Sequence, residues 1–267
     1  VHSDVRPSDR ELDRRKKIVK KVLIAGESWM KHTVHVKGFD TFNTCEYEEG
    51  VAWLREALEM GGYNVVFLPN HLAPEEFPSS LEALETYDAV LLSDIGSNTL
   101  LLAPGTFNRS QRTPNRCDLL RDYVYRGGSL CMVGGYMSFS GIDAKARFGQ
   151  TSLAEVLPVA CLDRDDRVEL PQGFLPEITD PEHPVFRGID EPWPFFLGYN
   201  ATLPLKEGTV VASLNGDPFV ALRECRKGRT AAFTSDCAPH WGPPEFVNWK
   251  HYNTFWKNLL DWMTKSV

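Results

Sequence analysis

The sequence predicts an α/β fold: a mostly parallel sheet, doubly wound, with helices on both faces and β- and loop-rich additions in its second half. Three observations predict it. Short aliphatic and β-branched runs alternate with segments of helical period through the first half. Each strand–helix unit is roughly 25 to 40 residues long, enough for a right-handed crossover between parallel strands. The 267 residues, 42% of them hydrophobic, suffice for one large core.

The elements follow in order. "KKVLIAG" (20–26) suits a buried parallel strand ending on glycine. "ESWMKHTVHVKGFDTFNTC" (27–45) reads as a long polar-aromatic loop, and loops of that length are usually functional. "EYEEGVAWLREALEMGG" (46–62) reads as a helix, with Val51, Leu54 and Leu58 on one face and a glycine pair to stop it. "YNVVFLP" (63–69) and "YDAVLLSD" (87–94) are the second and third strands. The stretch between them is helical in its second half, capped by Ser79 or Ser80. "TPNRCDLLRDYVYRGG" (113–128) is a helix that delivers the chain to a fourth strand, "SLCMVGG" (129–135).

The second half is crowded with Pro and Gly and reads as loops with short strands. "TVVASLNG", "PFVALREC" and "RTAAFTSD" then follow at hairpin-like spacing. The closing helix, "EFVNWKHYNTFWKNLLDWM" (245–263), carries an apolar stripe through Trp249, Tyr252, Trp256, Leu259, Leu260 and Met263. Phe255 and Trp262 widen that stripe, so the helix either meets another subunit or sinks deep against the sheet. No linker or repeat interrupts residues 20–267, read as one domain behind a basic tail over residues 1–19.

Charge excludes some partners. A net charge of −7 repels phosphate backbones, so no nucleic-acid partner is expected. No apolar run reaches the roughly 18 residues of a membrane span. Six cysteines without a CxxC pair read as reduced thiols in a cytoplasmic protein. Neither a metal nor a cofactor is expected; Cys237-x-x-His240 lacks a second ligand pair.

In an open parallel sheet, ligands bind beyond the carboxyl ends of the strands. That rule selects Glu27, Ser28, His32 and His35 after the first strand and Asp94 after the third. It selects Tyr136, Met137 and Ser138 after the fourth, and Asp236, Cys237, His240 and Trp241 after the last. Helix or turn capping is the alternative role for Asp94 and Asp236.

Four stretches carry a resemblance: "VLIAGES" (22–28), "YDAVLLSDIG" (87–96), "GGSLCMVGGYMSF" (127–139) and "DPEHPVFRGI" (180–189). The chain resembles the class I glutamine amidotransferase-like superfamily, nearest to its uncharacterised branch akin to trehalose-utilisation-type proteins. The resemblance implies a flavodoxin-like sheet but not an activity, because the superfamily spans hydrolases, amidotransferases and chaperones. Its amidotransferases mount a Cys on a strained Gly-x-Cys-x-Gly elbow and activate it with a His followed two residues later by Glu. Here Gly134-Gly135-Tyr136-Met137-Ser138 puts Tyr136 in the nucleophile slot, and Gly242 stands where the Glu would follow His240.

The reading is therefore an amidotransferase-like protein without the triad. It would bind or act on a small polar metabolite, a carbohydrate or a carboxylate. Tyr136, His240, Asp236 and Glu27 form the catalytic set, and Ser28, His32, Asp94, Met137, Ser138 and Trp241 bind substrate. The alternative is a non-catalytic oligomeric protein that associates through the Trp-rich last helix and the aromatic loop "EPWPFFLGYN" (191–200). A homo-oligomer is expected either way. A third reading, a metal-dependent hydrolase, would use His32, His35, Asp94 and His240.

Overall fold

The computed structural model describes residues 19–266, so all of the expected tail but Val19 lies outside the described residues. The chain opens with β1 (Lys21–Gly26), followed by a two-stranded ribbon, β2 (Ser28–Lys37) and β3 (Asp40–Glu49). α1 (Ala52–Met60) and β4 (Asn64–Leu68) come next. Two single-turn helices, α2 (Ala73–Glu76) and α3 (Leu81–Leu84), lead to β5 (Ala89–Ser93). Ser80 is the cap of α3, its hydroxyl accepting from Ala83 N at 3.2 Å. α4 (Ser97–Leu101), α5 (Pro104–Arg109) and α6 (Arg116–Arg126) precede β6 (Ser129–Val133).

The second half is strand-rich, as expected. It runs through β7 (Val159–Cys161), β8 (Arg167–Phe174), β9 (Glu177–Ile178), β10 (Phe196–Asn200) and β11 (Thr202–Pro204). Then come β12 (Thr209–Leu214), β13 (Asp217–Cys225), β14 (Gly228–Phe233), α7 (Pro244–Val247) and α8 (Tyr252–Met263).

Eight strands form the main sheet in the order β4-β1-β5-β6-β14-β13-β12-β9. The first five are parallel and the last three join antiparallel. The parallel part has the flavodoxin order, with the switch point between β1 and β5. Alternate residues feed opposite layers: Val22, Ile24, Leu91 and Val133 pack toward α1 and α8, while Leu23, Val90, Leu92 and Met132 pack toward α6.

Four expectations are corrected. Residues 28–49 form a ten-pair hairpin with its turn at Gly38-Phe39, not a loop. Its side chains are polar on much of both faces, so their alternation marks no buried side. α1 accordingly starts at Ala52, because residues 46–49 are still strand. The closing helix is broken at residues 248–251 and starts afresh at Tyr252. Its wide stripe is core, with Phe255, Trp256, Leu259 and Leu260 fully buried. The aromatic loop is core as well: Trp193 contacts Phe219, Phe246 and Phe255 at ring separations of 4.8–6.1 Å. Neither segment offers apolar surface for self-association.

Candidate functional site

β1 and β5 end side by side at the switch point, and each is followed directly by an acid in the left-handed region, Glu27 at φ 45° and Asp94 at φ 46°. Non-glycine residues hold that conformation only where surroundings fix it. Here Glu27 N donates to Ser93 O at 2.7 Å, and Gly50 N donates to Glu27 O at 3.0 Å. The Glu27 carboxyl is buried, accepts the Ser93 hydroxyl, and lies where a Cβ on Gly50 would stand, 2.4 Å from Oε1.

β14 is followed by Thr234, Ser235, Asp236 and Cys237, all buried. Asp236 Oδ1 accepts from Ala238 N at 3.0 Å, and Oδ2 stands 3.5 Å from Nδ1 of the half-exposed His240. Asp236 thus caps its own turn and faces an imidazole as well. Glu27, Asp236 and Cys237 present ligand atoms within 4.8 Å of one another, the set best placed for a cation among the described residues.

The turn after β6 fits against both acids. A Cβ on Gly134 would lie 2.3 Å from Thr234 O, and one on Gly135 would lie 2.8 Å from Asp94 Oδ1. Gly135, not Tyr136, takes the left-handed φ of 147°. This corrects the placement of Tyr136 at a strained apex: the strain falls on a residue with no side chain, and Asp94 fills the space beside it. Asn200, fully buried at the end of β10, clamps Gly135. Its Oδ1 accepts from Gly135 N at 3.0 Å, and its Nδ2 donates to Gly135 O at 3.1 Å and Asp166 Oδ1 at 2.8 Å.

Tyr136 stands at the open front. Its ring meets His240 edge-on at 4.6 Å and Trp241 at 5.7 Å, with the Arg167 guanidinium 4.8 Å from its centroid. Its hydroxyl donates to Glu169 Oε1 at 3.2 Å, and Trp241 Nε1 donates to Glu169 Oε2 at 3.0 Å. Two hollows lie elsewhere, about 290 Å³ around Tyr87 and Ser129 and about 270 Å³ beside Arg116. The switch-point site is marked by its chemistry.

Burial raises the Glu27 carboxyl well above its ordinary pKa, and the Asp236 and Asp94 carboxylates push it the same way. Burial, then Asp236, pushes Asp94 up to about 6, against the Met137 N–H that donates to Asp94 Oδ1 at 2.6 Å. Burial lowers His240, but hydrogen bonding and charge from Asp236 outweigh it and leave the imidazole raised. Burial and Glu169 raise the Tyr136 phenol. The two nearest thiols, Cys131 inside β6 and Cys237, are fully buried and raised by that burial.

The structure thus brings Glu27, Asp94, Tyr136, Asp236, His240 and Trp241 together. Other expected binding residues take different roles. Ser28 is buried and its Oγ accepts from Asn70 N at 2.8 Å. Ser138 is buried, donating to Val133 O at 2.5 Å and accepting from Asp94 N at 3.2 Å. Met137 contributes its backbone N–H. His32 is exposed on the ribbon, its ring nitrogen 3.9 Å from Cys45 Sγ. Five extended residues carry it roughly 16 Å along the chain from Glu27. His35, stacked on Phe42 at 4.4 Å, is on the ribbon too. Sequence reasoning missed Glu169, Arg167 and Asn200, which belong to strands β8 and β10 whose pairing leaves no local motif.

The family pattern described as "Putative glutamine amidotransferase" matches residues 21–265. The chain belongs to this family. Among solved structures it is similar to Cytoplasmic Protein STM3548 from Salmonella typhimurium, at 46% identity and a TM-score of 0.88, covering 91% of this chain and 98% of that one. Cytoplasmic Protein STM1381 from Salmonella typhimurium LT2 is similar at 47% identity, with a TM-score of 0.87 and coverage of 91% and 99%. A protein described as ThuA-like, from Bacteroides uniformis, shares the fold at 14% identity and a TM-score of 0.51, with coverage of 90% and 89%. No curated protein matches the chain. Among the described residues, no helix is long and apolar enough to cross a membrane.

Proposed function

We propose that this family member works without a Cys-His-Glu triad and binds, or acts on, a small polyhydroxylated metabolite at the β1–β5 switch point, as a cytoplasmic protein. The observation that carries the reading is the convergence of Glu27, Asp94 and Asp236 on one rim with His240 and Tyr136. The Asp94 and Asp236 carboxylates repel a free carboxylate ligand, but they accept hydrogen bonds from sugar hydroxyls, so a carbohydrate suits the rim better. His240, oriented by Asp236, serves as the base. Tyr136 and the protonated Glu27 serve as proton donors, and Asp94 holds a substrate hydroxyl. Glutamine hydrolysis does not suit this arrangement, because residues 134–138 include no cysteine and the nearby thiols are buried and un-ionised.

The test is thermal unfolding against a panel of neutral sugars, sugar acids, amides and divalent metals. A ligand at 100 times its dissociation constant adds about 2.7 kcal/mol, which raises Tm by about 5 °C in a chain of this size. A neutral sugar is expected to give that shift, and His240→Ala and Tyr136→Phe to remove it. A sugar-acid or amide response that survives both substitutions, or a flat panel, refutes the reading. A flat panel favours the non-catalytic oligomeric alternative, which the exposed ribbon supports.

A further inference from the structure

Arg116, the first residue of α6, is the one buried arginine among the described residues, at 4% exposed. A buried charge is normally paired with an opposite one. This one has only neutral partners among the described residues. Its Nη1 donates to Pro74 O at 2.8 Å and Ala73 O at 3.4 Å, and its Nη2 donates to Glu75 O at 3.4 Å. All three acceptors are backbone carbonyls of α2, and Nε has no partner among the described residues. Burial pushes the Arg116 pKa down, and no carboxylate opposes that push. The carbonyls, with the Phe77 ring centroid 5.9 Å from the guanidinium carbon, fix the group in place. Arg116 lines a hollow of about 270 Å³ where α2, α5 and the start of α6 meet. Arg109 lines it too, bonded through Nε to Gln111 Oε1 at 3.2 Å and to no carboxylate among the described residues. Ser79, Gln111 and Thr113 add hydroxyl and amide groups. Glu75 is the one acid of the lining, and it forms an ion pair with neither arginine. The hollow shares no residue with the switch-point site.

We propose that this hollow is a second binding site, for a small phosphate monoester whose phosphate is held between Arg109 and Arg116. Charge selects the ligand's sign. In a chain of net charge −7, two arginines without acid partners on one hollow make a local positive site. Geometry selects the phosphate. Two guanidinium forks match the three terminal oxygens and near-double charge of a phosphate monoester better than the two oxygens of a carboxylate. Volume selects the ester, because a phosphate ion alone fills only a fraction of the hollow and leaves room for a small organic body. Binding would supply the counter-charge that the fold leaves out beside Arg116.

Isothermal titration calorimetry on the full chain tests this, with glycerol 2-phosphate, inorganic phosphate and acetate as probes at one ionic strength. Glycerol 2-phosphate is expected to bind one to one, more tightly than inorganic phosphate, and acetate not at all. Arg109→Ala should weaken it about tenfold, the loss of one charge-assisted contact. Arg116→Lys, which keeps the charge and loses the fork, should do the same. Glu75→Gln removes the one acid of the lining and should tighten binding about threefold, a gain that a purely structural role would not give. Arg226→Ala removes an equal charge from the exposed turn between β13 and β14 and should change nothing. Arg109, Glu75 and Arg226 are exposed, so those variants are expected to fold as the wild type does. No binding of glycerol 2-phosphate at about 10 mM overturns the proposal and leaves Arg116 as a cap on α2. Binding indifferent to both Arg109→Ala and Glu75→Gln overturns it as well, by placing the site elsewhere. Inorganic phosphate binding as tightly as the ester overturns the ester and assigns the hollow to the free ion.

Discussion

Glu27 shows how far single residues were readable and what they cost. It was found by position alone: it follows the first strand, and strand ends at a switch point gather ligands. Asp94 and Asp236 were readable for the same reason. Glu169 and Asn200 were not, because a residue from a distant strand is placed by tertiary packing, which leaves no local pattern. The three titrating groups share a sign. Glu27, Asp94 and His240 all hold their protons more tightly folded than unfolded. The stability that proton contributes is complete below the unfolded pKa values and is lost as pH rises through the folded ones, about 6 for Asp94. Tm should therefore fall from pH 5 to pH 8. Glu27→Gln keeps the Ser93 hydrogen bond and removes the most deeply buried of these acids. At pH 8 it should stabilise the fold by about 1–2 kcal/mol, flatten the pH dependence, and abolish the ligand response. A variant less stable than wild type at pH 8, with an undiminished slope, would show that the carboxyl is a structural necessity.

Elements were legible where one face is apolar and the period is long enough to detect. α8 qualifies, its apolar residues recurring three and four apart, and its burial decided between the two readings of that stripe. The ribbon was not legible, because alternation without a consistently hydrophobic face leaves nothing to distinguish strand from loop. The segment around Trp193 failed in the opposite direction, since an aromatic run rich in proline reads equally as surface or core. Its role is testable at this scale. Trp193 joins the loop before β10 to α7 and α8, and its indole N–H has no hydrogen-bond partner among the described residues. Trp193→Ala should cost about 3–5 kcal/mol, as large-to-small aromatic substitutions do in cores. Trp193→Phe forfeits volume but no hydrogen bond and should cost less than about 2 kcal/mol. Equal losses, measured by urea unfolding, would mean that the indole nitrogen is satisfied through a water or a shifted neighbour.

Across the whole molecule, the parallel half supplies the acids and the second half supplies what fixes them. The parallel sheet was predictable because its strands are local runs joined by crossovers. The added strands β8 and β10, and β7 and β11, pair in small sheets of their own, so the way they cover the site could not be read from sequence. Asn200 is the rivet between the halves, holding Gly135 by both backbone groups while donating to Asp166. Gly135 in turn sets the position of Asp94, and Asp94 that of Met137. Asn200→Leu leaves the Gly135 N–H, its carbonyl and the Asp166 carboxylate without that partner, and should cost about 3–5 kcal/mol. Asn200→Asp is nearly isosteric but cannot donate, and it sets a second carboxyl beside Asp166, whose own pKa burial already raises. Its penalty should be large at pH 8 and should shrink toward pH 5, where one of the pair can protonate and donate to the other. Thermal unfolding at both pH values separates the two cases. A penalty for Asn200→Asp that is the same at pH 5 and pH 8 would mean that Asn200 acts by shape alone, and that the second half covers the elbow without fixing it.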